Sequence, residues 1–304
     1  MLSPVVLALT AGGLMWKPAG HIFRLARAGR VLARDRRETP GRSAAAVEDT
    51  VVELVSQFAR DHDVAAVGIG AAGFVDAGRS TVLFSPHLAW RNEPVRDAVM
   101  SRLDVPVVVD NDANTAALAE CRFGSGMGHR FVLCITLGTG IGGALVMDNR
   151  VYRGANGMAG EFGHMQVVPD GQSCECGRRG CWEQYSSGNA LVRNARALMV
   201  DQPSVLVEMS GGAPEQVTGP MVTSAAEQGD LVARQAFASV GGWLGVGTAN
   251  LVAAFDPEVV VVGGGVSAAG DRLLDPARAA LRRTLVGAEH RVVPPLVAAR
   301  LGPQ

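Results

Sequence analysis

Between Ser43 and His62 the apolar residues Val47, Val51, Leu54, Val55 and Phe58 recur at steps of three and four, which predicts an amphipathic helix with one buried face. Val64–Ile69 follows directly and is short, β-branched and bounded by glycine, so it reads as a strand. The same character returns at Val105–Val109, after a helical stretch from Pro94 to Leu103. Ala113–Phe123 predicts another helix. Phe131–Leu137 and Gly142–Met147 predict two strands joined by a glycine-rich turn, Glu258–Val262 a buried strand, and Asp271–Leu285 a closing helix. Alternating strands and helices imply α/β layers, with parallel strands covered by helices. A boundary between the two groups of strands falls near Ala113–Glu120, giving a smaller N-terminal domain over 1–115 and a larger C-terminal one over 116–304. No short solenoid repeat is present.

Composition narrows the ligand. With 304 residues, 48% hydrophobic, the chain can bury one large core or two medium ones. A net charge of −1 offers no broad basic field for nucleic acid or an acidic membrane surface, so a small-molecule ligand held by local groups is expected. The apolar start, Met1–Met15, lacks the positive segment that precedes the apolar core of an export signal, and Lys17 and Pro18 follow it. The best candidate membrane run, Ala249–Val262, is broken by Asp256, Pro257 and Glu258. Five cysteines, three of them crowded together, read as a metal site in a reducing compartment rather than a disulfide framework, which favours the cytoplasm.

That crowding is the strongest chemical signal in the chain. His164, Cys174, Cys176 and Cys181 lie within eighteen residues and supply one imidazole and three thiols, the ligand set of tetrahedral Zn2+. Pro169, Gly171, Gly177 and Gly180 let the intervening segment turn tightly enough to bring four ligands onto one ion. Four protein ligands close the shell, so the metal would be structural. Cys121 and Cys134 sit in helix and strand patterns and read as small core residues. Glu161 and Glu183 flank the ligands; either the ion pins them beside a pocket, or they are surface glutamates.

A second set of signals is weaker taken singly. The strand ending at Val109 delivers Asp110, Asn111, Asp112, Ala113 and Asn114 to the start of a helix, where α/β proteins place ligand-binding groups. One of these acids can serve as the carboxylate that takes a proton from a hydroxyl nucleophile, or the Asp and Asn side chains can simply cap the helix. LGTGIGG at Leu137–Gly143 can bring backbone N–H groups close to phosphate oxygens, with Thr139 as a hydroxyl donor, or it can be a hairpin turn. Gly263–Ser267 follows a strand and precedes a helix, the setting of a nucleotide contact at a helix N-terminus.

Taken together, GAAGFVD, DNDAN, LGTGIGG, GEFGH followed by CECGRRGCWE, and GGGVS occur in the order seen in the ROK family of sugar kinases and sugar-responsive repressors. The resemblance runs from about Gly29 to Gly302, and SPHLAWRNEP looks like the glucokinase branch. It implies a two-domain actin-like ATPase (ribonuclease H-like) fold with a zinc-stabilised loop, the sugar bound in the cleft between domains and ATP against the larger one. Asp112 matches the family's catalytic base. Gly73, Asn111, Glu161, His164 and Glu183 match its sugar contacts, with His164 touching sugar and zinc through different ring nitrogens. Gly138, Thr139 and Gly140 match the phosphate loop, and Gly264 and Gly265 the adenosine loop. Two stretches depart from the pattern. The family's opening D-x-G-G-T turn, whose acid helps to hold magnesium, should lie near Leu14–Pro18, which reads LMWKP; Ala11, Gly12 and Gly13 keep a glycine pair without the acid, and His21–Ala28 lacks the strand alternation expected after the turn. Family members also continue past Leu301 and Gly302 into a further helix.

The expected activity is therefore ATP- and Mg2+-dependent phosphorylation of a hexose, glucose by resemblance, with no nucleic-acid or membrane partner and a homodimer or homotetramer as the family's common assembly. Alternatives are a kinase for another hexose or an N-acetylhexosamine, a sugar-binding member impaired in transfer, or a repressor. The last would need a DNA-reading helix-turn-helix and a basic face that this sequence lacks.

Overall fold

A computed structural model describes residues 5–11, 20–27, 30–38, 43–86 and 88–301. The expected position of the D-x-G-G-T turn, Leu14–Pro18 with Gly12 and Gly13, lies outside the described residues. The chain divides into two compact units: Met1–Phe123 with Asn149–Gly160, and Gly124–Asp148 with Glu161–Gln304. The expected boundary after residue 115 lies inside the helix Asp112–Phe123.

In unit 1, strands β1 (Val5–Ala11), β2 (Gly20–Arg27), β3 (Arg30–Glu38), β4 (Val64–Ala71) and β8 (Val107–Asn111) form a sheet in the order β3-β2-β1-β4-β8. β1 pairs antiparallel with β2 and β2 with β3, whereas β4 runs parallel to β1 and β8 parallel to β4. Within the apolar start, Val5–Ala11 is thus a strand. His21–Arg27, where the sequence lacks strand alternation, nevertheless belongs to β2, and pairing on both edges sets its conformation. Helix α1 (Ala44–Ala59) begins at Ser43, whose hydroxyl accepts a hydrogen bond from the Ala46 amide at 3.3 Å. It buries Val47, Val51, Leu54, Val55 and Phe58, the stripe read from the sequence. A small antiparallel sheet, β5 (Phe74–Val75), β6 (Val82–Phe84) and β7 (Arg91–Glu93), and helix α2 (Val95–Met100) add Val82, Trp90, Val95 and Val99 to the same core. Helix α3 (Asp112–Phe123) follows β8 without a loop, and β11 (Arg150–Tyr152) lies in the segment that returns to this unit.

In unit 2, β9 (Phe131–Leu137) and β10 (Ile141–Met147) form an antiparallel hairpin, β12 (Val259–Gly263) runs parallel to β9, and β13 (Leu296–Ala298) parallel to β12. The senses of pairing along β10-β9-β12-β13 repeat those along β2-β1-β4-β8. Both sheets are therefore mixed where parallel strands were expected, because a turn as short as that between β9 and β10 permits only antiparallel pairing. Helices α4 (Gly188–Leu198), α5 (Leu206–Met209), α6 (Gly219–Glu227), α7 (Leu231–Phe255) and α8 (Asp271–Thr284) surround a core that includes Leu133, Trp182, Phe237, Leu244 and Leu274. α7 is long and apolar enough to cross a membrane by length and composition, yet Val232, Ala236, Phe237, Val240, Leu244 and Leu251 along it are buried in this core. It is a central packing helix, and the sequence reading missed it.

Candidate active site

β8 continues two residues further than the sequence suggested, so that Asp110 and Asn111 still pair with Gly70 and Ala71, and Asp112 opens α3. Capping at this junction falls to the Asn111 side chain. The Asn111 side-chain oxygen Oδ1 accepts from the Ala113 and Asn114 backbone amides at 2.9 and 3.1 Å, which satisfies two of the N–H groups a helix start leaves unpaired. Its amide group donates to the Gly73 carbonyl at 3.1 Å. Asp112 is half-buried in the first turn, and one of its oxygens accepts from the Ala113 amide at 2.9 Å. Gly73 has φ +142°, and a Cβ there would lie 2.2 Å from the Phe84 carbonyl oxygen, so no larger residue fits against β6. Gly73, Asn111 and Asp112 are thus brought together in unit 1.

Unit 2 gathers the remaining predicted residues. One ligand atom from each of His164, Cys174, Cys176 and Cys181 lies within 4.8 Å of the other three. His164 Nδ1 is 3.7 Å from Cys174 Sγ, and Cys176 Sγ is 3.6 Å from Cys181 Sγ. A tetrahedral ion with metal–sulfur bonds of about 2.3 Å separates its ligands by about 3.8 Å, so the spacing and the donor chemistry both fit a zinc ion. Among metal-free thiols, burial foremost pushes Cys174 far above its ordinary value, with a hydrogen bond to Glu183 adding, and burial likewise raises Cys181. Protons crowded into such a cluster are what a divalent cation displaces on binding.

His164 presents its two ring nitrogens to different neighbours. Nδ1 faces the thiols and stands 3.4 Å from Glu183 Oε1, while Nε2 is 4.0 Å from Glu161 Oε2. The Glu183 side chain is 17% exposed and Glu161 43%, so Glu183 belongs to the cluster's wall and Glu161 opens to solvent. Glu183 also connects this cluster to the glycine turn: a Cβ on Gly140 would lie 2.3 Å from Glu183 Oε2.

That turn, Gly138–Gly140, closes the β9–β10 hairpin and is a hairpin turn as well as a candidate phosphate loop. The α4 N-terminus docks on it. The Gly188 amide donates to the Gly138 carbonyl at 2.7 Å and the Asn189 amide to Thr139 at 3.4 Å, while Ser187 caps α4 through the Ala190 amide at 3.1 Å. Thr139 is exposed. The second loop follows β12 as expected and passes through a short 3-10 turn, Gly265–Ala269, before α8. Gly264 has φ +85°, and a Cβ there would lie 2.3 Å from the Leu137 carbonyl oxygen, so the two glycine loops lie side by side. Thr136, one residue before Leu137, has a buried hydroxyl without a hydrogen-bond partner among the described residues.

The sequence reading missed Arg153 and Arg79, which flank Asp110. Arg153 Nη2 donates to Asp110 Oδ2 at 2.5 Å, and Arg79 Nε is 3.4 Å from the same oxygen. Asp110 stood in the DNDAN string, but nothing local marks its partner 43 residues later.

Residues 21–304 match the ROK family. The glucokinase of Streptomyces coelicolor A3(2) is 46% identical over 277 residues, spanning 90% of this chain and 87% of that protein. A ROK family glucokinase from Streptomyces griseus, solved in complex with glucose and AMPPNP, superposes with a TM-score of 0.88 at 45% identity, covering 98% of this chain and 95% of that one. The ROK hexokinase from Thermus thermophilus superposes with a TM-score of 0.79 at 32% identity, covering 98% and 93%. Sequence and backbone agree over nearly the full length, and the chain belongs to the ROK family.

Proposed function

We propose that this chain is a glucokinase, transferring the γ-phosphoryl group of ATP to glucose to give glucose 6-phosphate. Within unit 2, the observation that carries the reading is the continuity from the metal-ligand cluster through Glu183 to the glycine turn at Gly140. That continuity supports a reading in which the proposed sugar contacts His164 and Glu183 and the proposed phosphate loop share one wall of unit 2. The 45% identity to a protein solved with glucose and AMPPNP supports both ligands.

Phosphoryl transfer asks the protein mainly to position reactants and to neutralise charge. Asp112 takes the proton from the sugar hydroxyl as the new phosphorus–oxygen bond forms. Asn111, Glu161, His164 and Glu183 bind sugar hydroxyls, with a backbone contact from Gly73. Gly138, Thr139 and Gly140 hold phosphate oxygens through N–H and hydroxyl groups, and Gly264 and Gly265 let the adenosine approach the backbone. Magnesium carried in with ATP would supply charge neutralisation on the triphosphate. His164, Cys174, Cys176 and Cys181 hold Zn2+ in a closed shell whose contribution is to brace His164 and Glu183. Reduced thiols suit a cytoplasmic setting, and a homodimer or homotetramer is the assembly we expect.

The test is a coupled assay with ATP and a panel of glucose, mannose and N-acetylglucosamine. Glucose should give the highest kcat/KM. An absence of turnover with every sugar would sink the kinase reading, and a preference for N-acetylglucosamine would reassign the substrate.

A further inference from the structure

After Asp148 the chain leaves unit 2, contributes Asn149–Gly160 to unit 1, and re-enters unit 2 at Glu161. We propose that Arg153, in this returning segment, is a positioning residue for Asp112 that acts through the carboxylate of Asp110. The inference rests on the reading of Asp112 as the base.

Asp110 is 5% exposed, and all of its hydrogen-bonding capacity is directed. Its Oδ2 receives Arg153 Nη2 at 2.5 Å and Nε at 3.2 Å, with Arg79 Nε at 3.4 Å. Its Oδ1 receives the Asn111 backbone N–H at 2.9 Å and the Asn114 side-chain amide at 3.1 Å. Arg153 therefore anchors chiefly Oδ2, with its Nε also 3.4 Å from Oδ1, while Oδ1 in addition holds the strand-to-helix turn on both sides of Asp112. A buried carboxylate keeps its charge only where a cation and donors replace the lost water, and a two-pronged guanidinium fixes its orientation as well. Arg153 is itself oriented by donating from Nη1 to the Val151 carbonyl at 3.1 Å.

The far end of the segment is equally constrained. Gly157 has φ +84°, and a Cβ there would lie 2.5 Å from the Val75 carbonyl oxygen, so the chain lies directly on the β5 turn. In that turn the Asp76 carboxylate accepts from the Ser80 and Thr81 amides at 2.8 Å each. The segment is thus a strap fastened at Arg153 and Gly157, and the force it transmits at Arg153 falls on the residue two positions before the base. Because the guanidinium contacts Asp110 and the turn is gripped by Oδ1, loss of Arg153 frees the turn's orientation without removing any group that binds sugar.

The test compares wild type with R153M, R153K, D110N and the double variant R153M/D110N. The readouts are kcat, KM for glucose and for ATP, the dissociation constant for glucose by calorimetry, and amide exchange at residues 111–114. R153M should lower kcat by up to about 100-fold with the glucose dissociation constant nearly unchanged, the loss expected of a misplaced reacting group. R153K, which keeps the charge and one contact, should recover part of it, and the double variant should be no worse than the worse single one. Amides of Asn111, Ala113 and Asn114 should exchange faster in R153M. An unaltered kcat overturns the proposal. So does a loss confined to the glucose KM, which would mean that the strap acts on the residues after Gly160. If R153M does not fold, R153K and D110N carry the same comparison. If wild type phosphorylates no hexose, the glucokinase reading fails, and amide exchange decides the clamp separately: unchanged exchange at residues 111–114 overturns it.

Discussion

Asp112 and Asn111 are neighbours with different duties. Asn111 spends its carbonyl on the α3 cap and its amide on Gly73, so its replacement loosens structure as well as binding. Asp112 opens α3, and one of its oxygens accepts from the adjacent Ala113 amide, a contact that an isosteric side-chain amide can keep. Asp112→Asn should therefore fold normally and bind glucose, while kcat falls by about 100- to 10,000-fold; calorimetry and a turnover assay on the same preparation check both halves, and near-normal turnover would remove Asp112 from the role of base. Gly264 allows a second prediction. At φ +85°, with the Leu137 carbonyl oxygen 2.3 Å from where a Cβ would stand, Gly264→Ala is strained and must push the two glycine loops apart. It should cost more than about 1 kcal/mol of stability and raise the KM for ATP above that for glucose, measured by thermal melts and steady-state kinetics. The residues at 110–114, 137–143 and 174–183 were legible in the sequence because each group makes its chemistry within one turn or loop. Arg153 was not, because its partner is 43 positions away and an isolated arginine carries no local mark.

At the scale of elements, α1 was read correctly as a buried stripe, yet the same face carries Glu48, which is 8% exposed. Burial foremost, with the Glu93 carboxylate on β7 adding, raises its pKa from the ordinary 4.5 to about 6. The folded state then holds the proton more tightly than the unfolded chain does. This contribution to stability is present in full below about pH 4.5 and is lost as the pH rises through 6, by roughly 2 kcal/mol in all. Glu48→Gln should flatten that part of the stability-versus-pH curve and raise Tm at neutral pH; melts from pH 4.5 to 7.5 that overlay those of wild type would refute it. The loop from Glu161 to Gln184 depends on its ligands instead of on a stripe. It holds 3-10 turns and two isolated bridges, Gln166 with Cys181 and Ser173 with Arg179, and is stitched by turn hydrogen bonds such as Val167 N–H to the Gly180 carbonyl at 2.8 Å in place of a continuous ladder. Arg178 and Arg179 are already exposed, so chelation of zinc, or Cys176→Ser, should make them trypsin-sensitive by loosening the backbone around them, and should weaken glucose binding; protease resistance equal to that of the metal-loaded protein would argue against bracing. α7 escaped the sequence reading because it is apolar nearly all round and rich in glycine, which erases the 3.6-residue contrast. Its glycines serve packing: a Cβ on Gly245 would lie 2.3 Å from the Ala277 carbonyl oxygen of α8.

For the molecule as a whole, the division into two units with separate cores has an energetic consequence. Leu54, 2% exposed, belongs to the core of unit 1, and the metal-ligand cluster belongs to unit 2. Leu54→Ala should cost about 2 to 5 kcal/mol by leaving a cavity, yet the folded protein should retain its full zinc content, measured by elemental analysis after dialysis. Loss of zinc in step with that destabilisation would show the units to be one cooperative whole.

The sequence by itself determined the α/β class, most strand and helix positions, the four candidate metal ligands, and the motif order that identifies the family. Each depends on interactions within a few residues or on a spacing preserved along the chain, and such information survives in one dimension. Only the tertiary structure decided that the sheets are mixed, that the poorly patterned segment Gly20–Arg27 is a strand, and that Glu183 joins the cysteines to the glycine turn. It alone brought Asn149–Gly160 back to unit 1 and Arg153 onto Asp110. Strand pairing and buried ion pairs draw their energy from partners distant in sequence, and that energy exists only once the chain has folded.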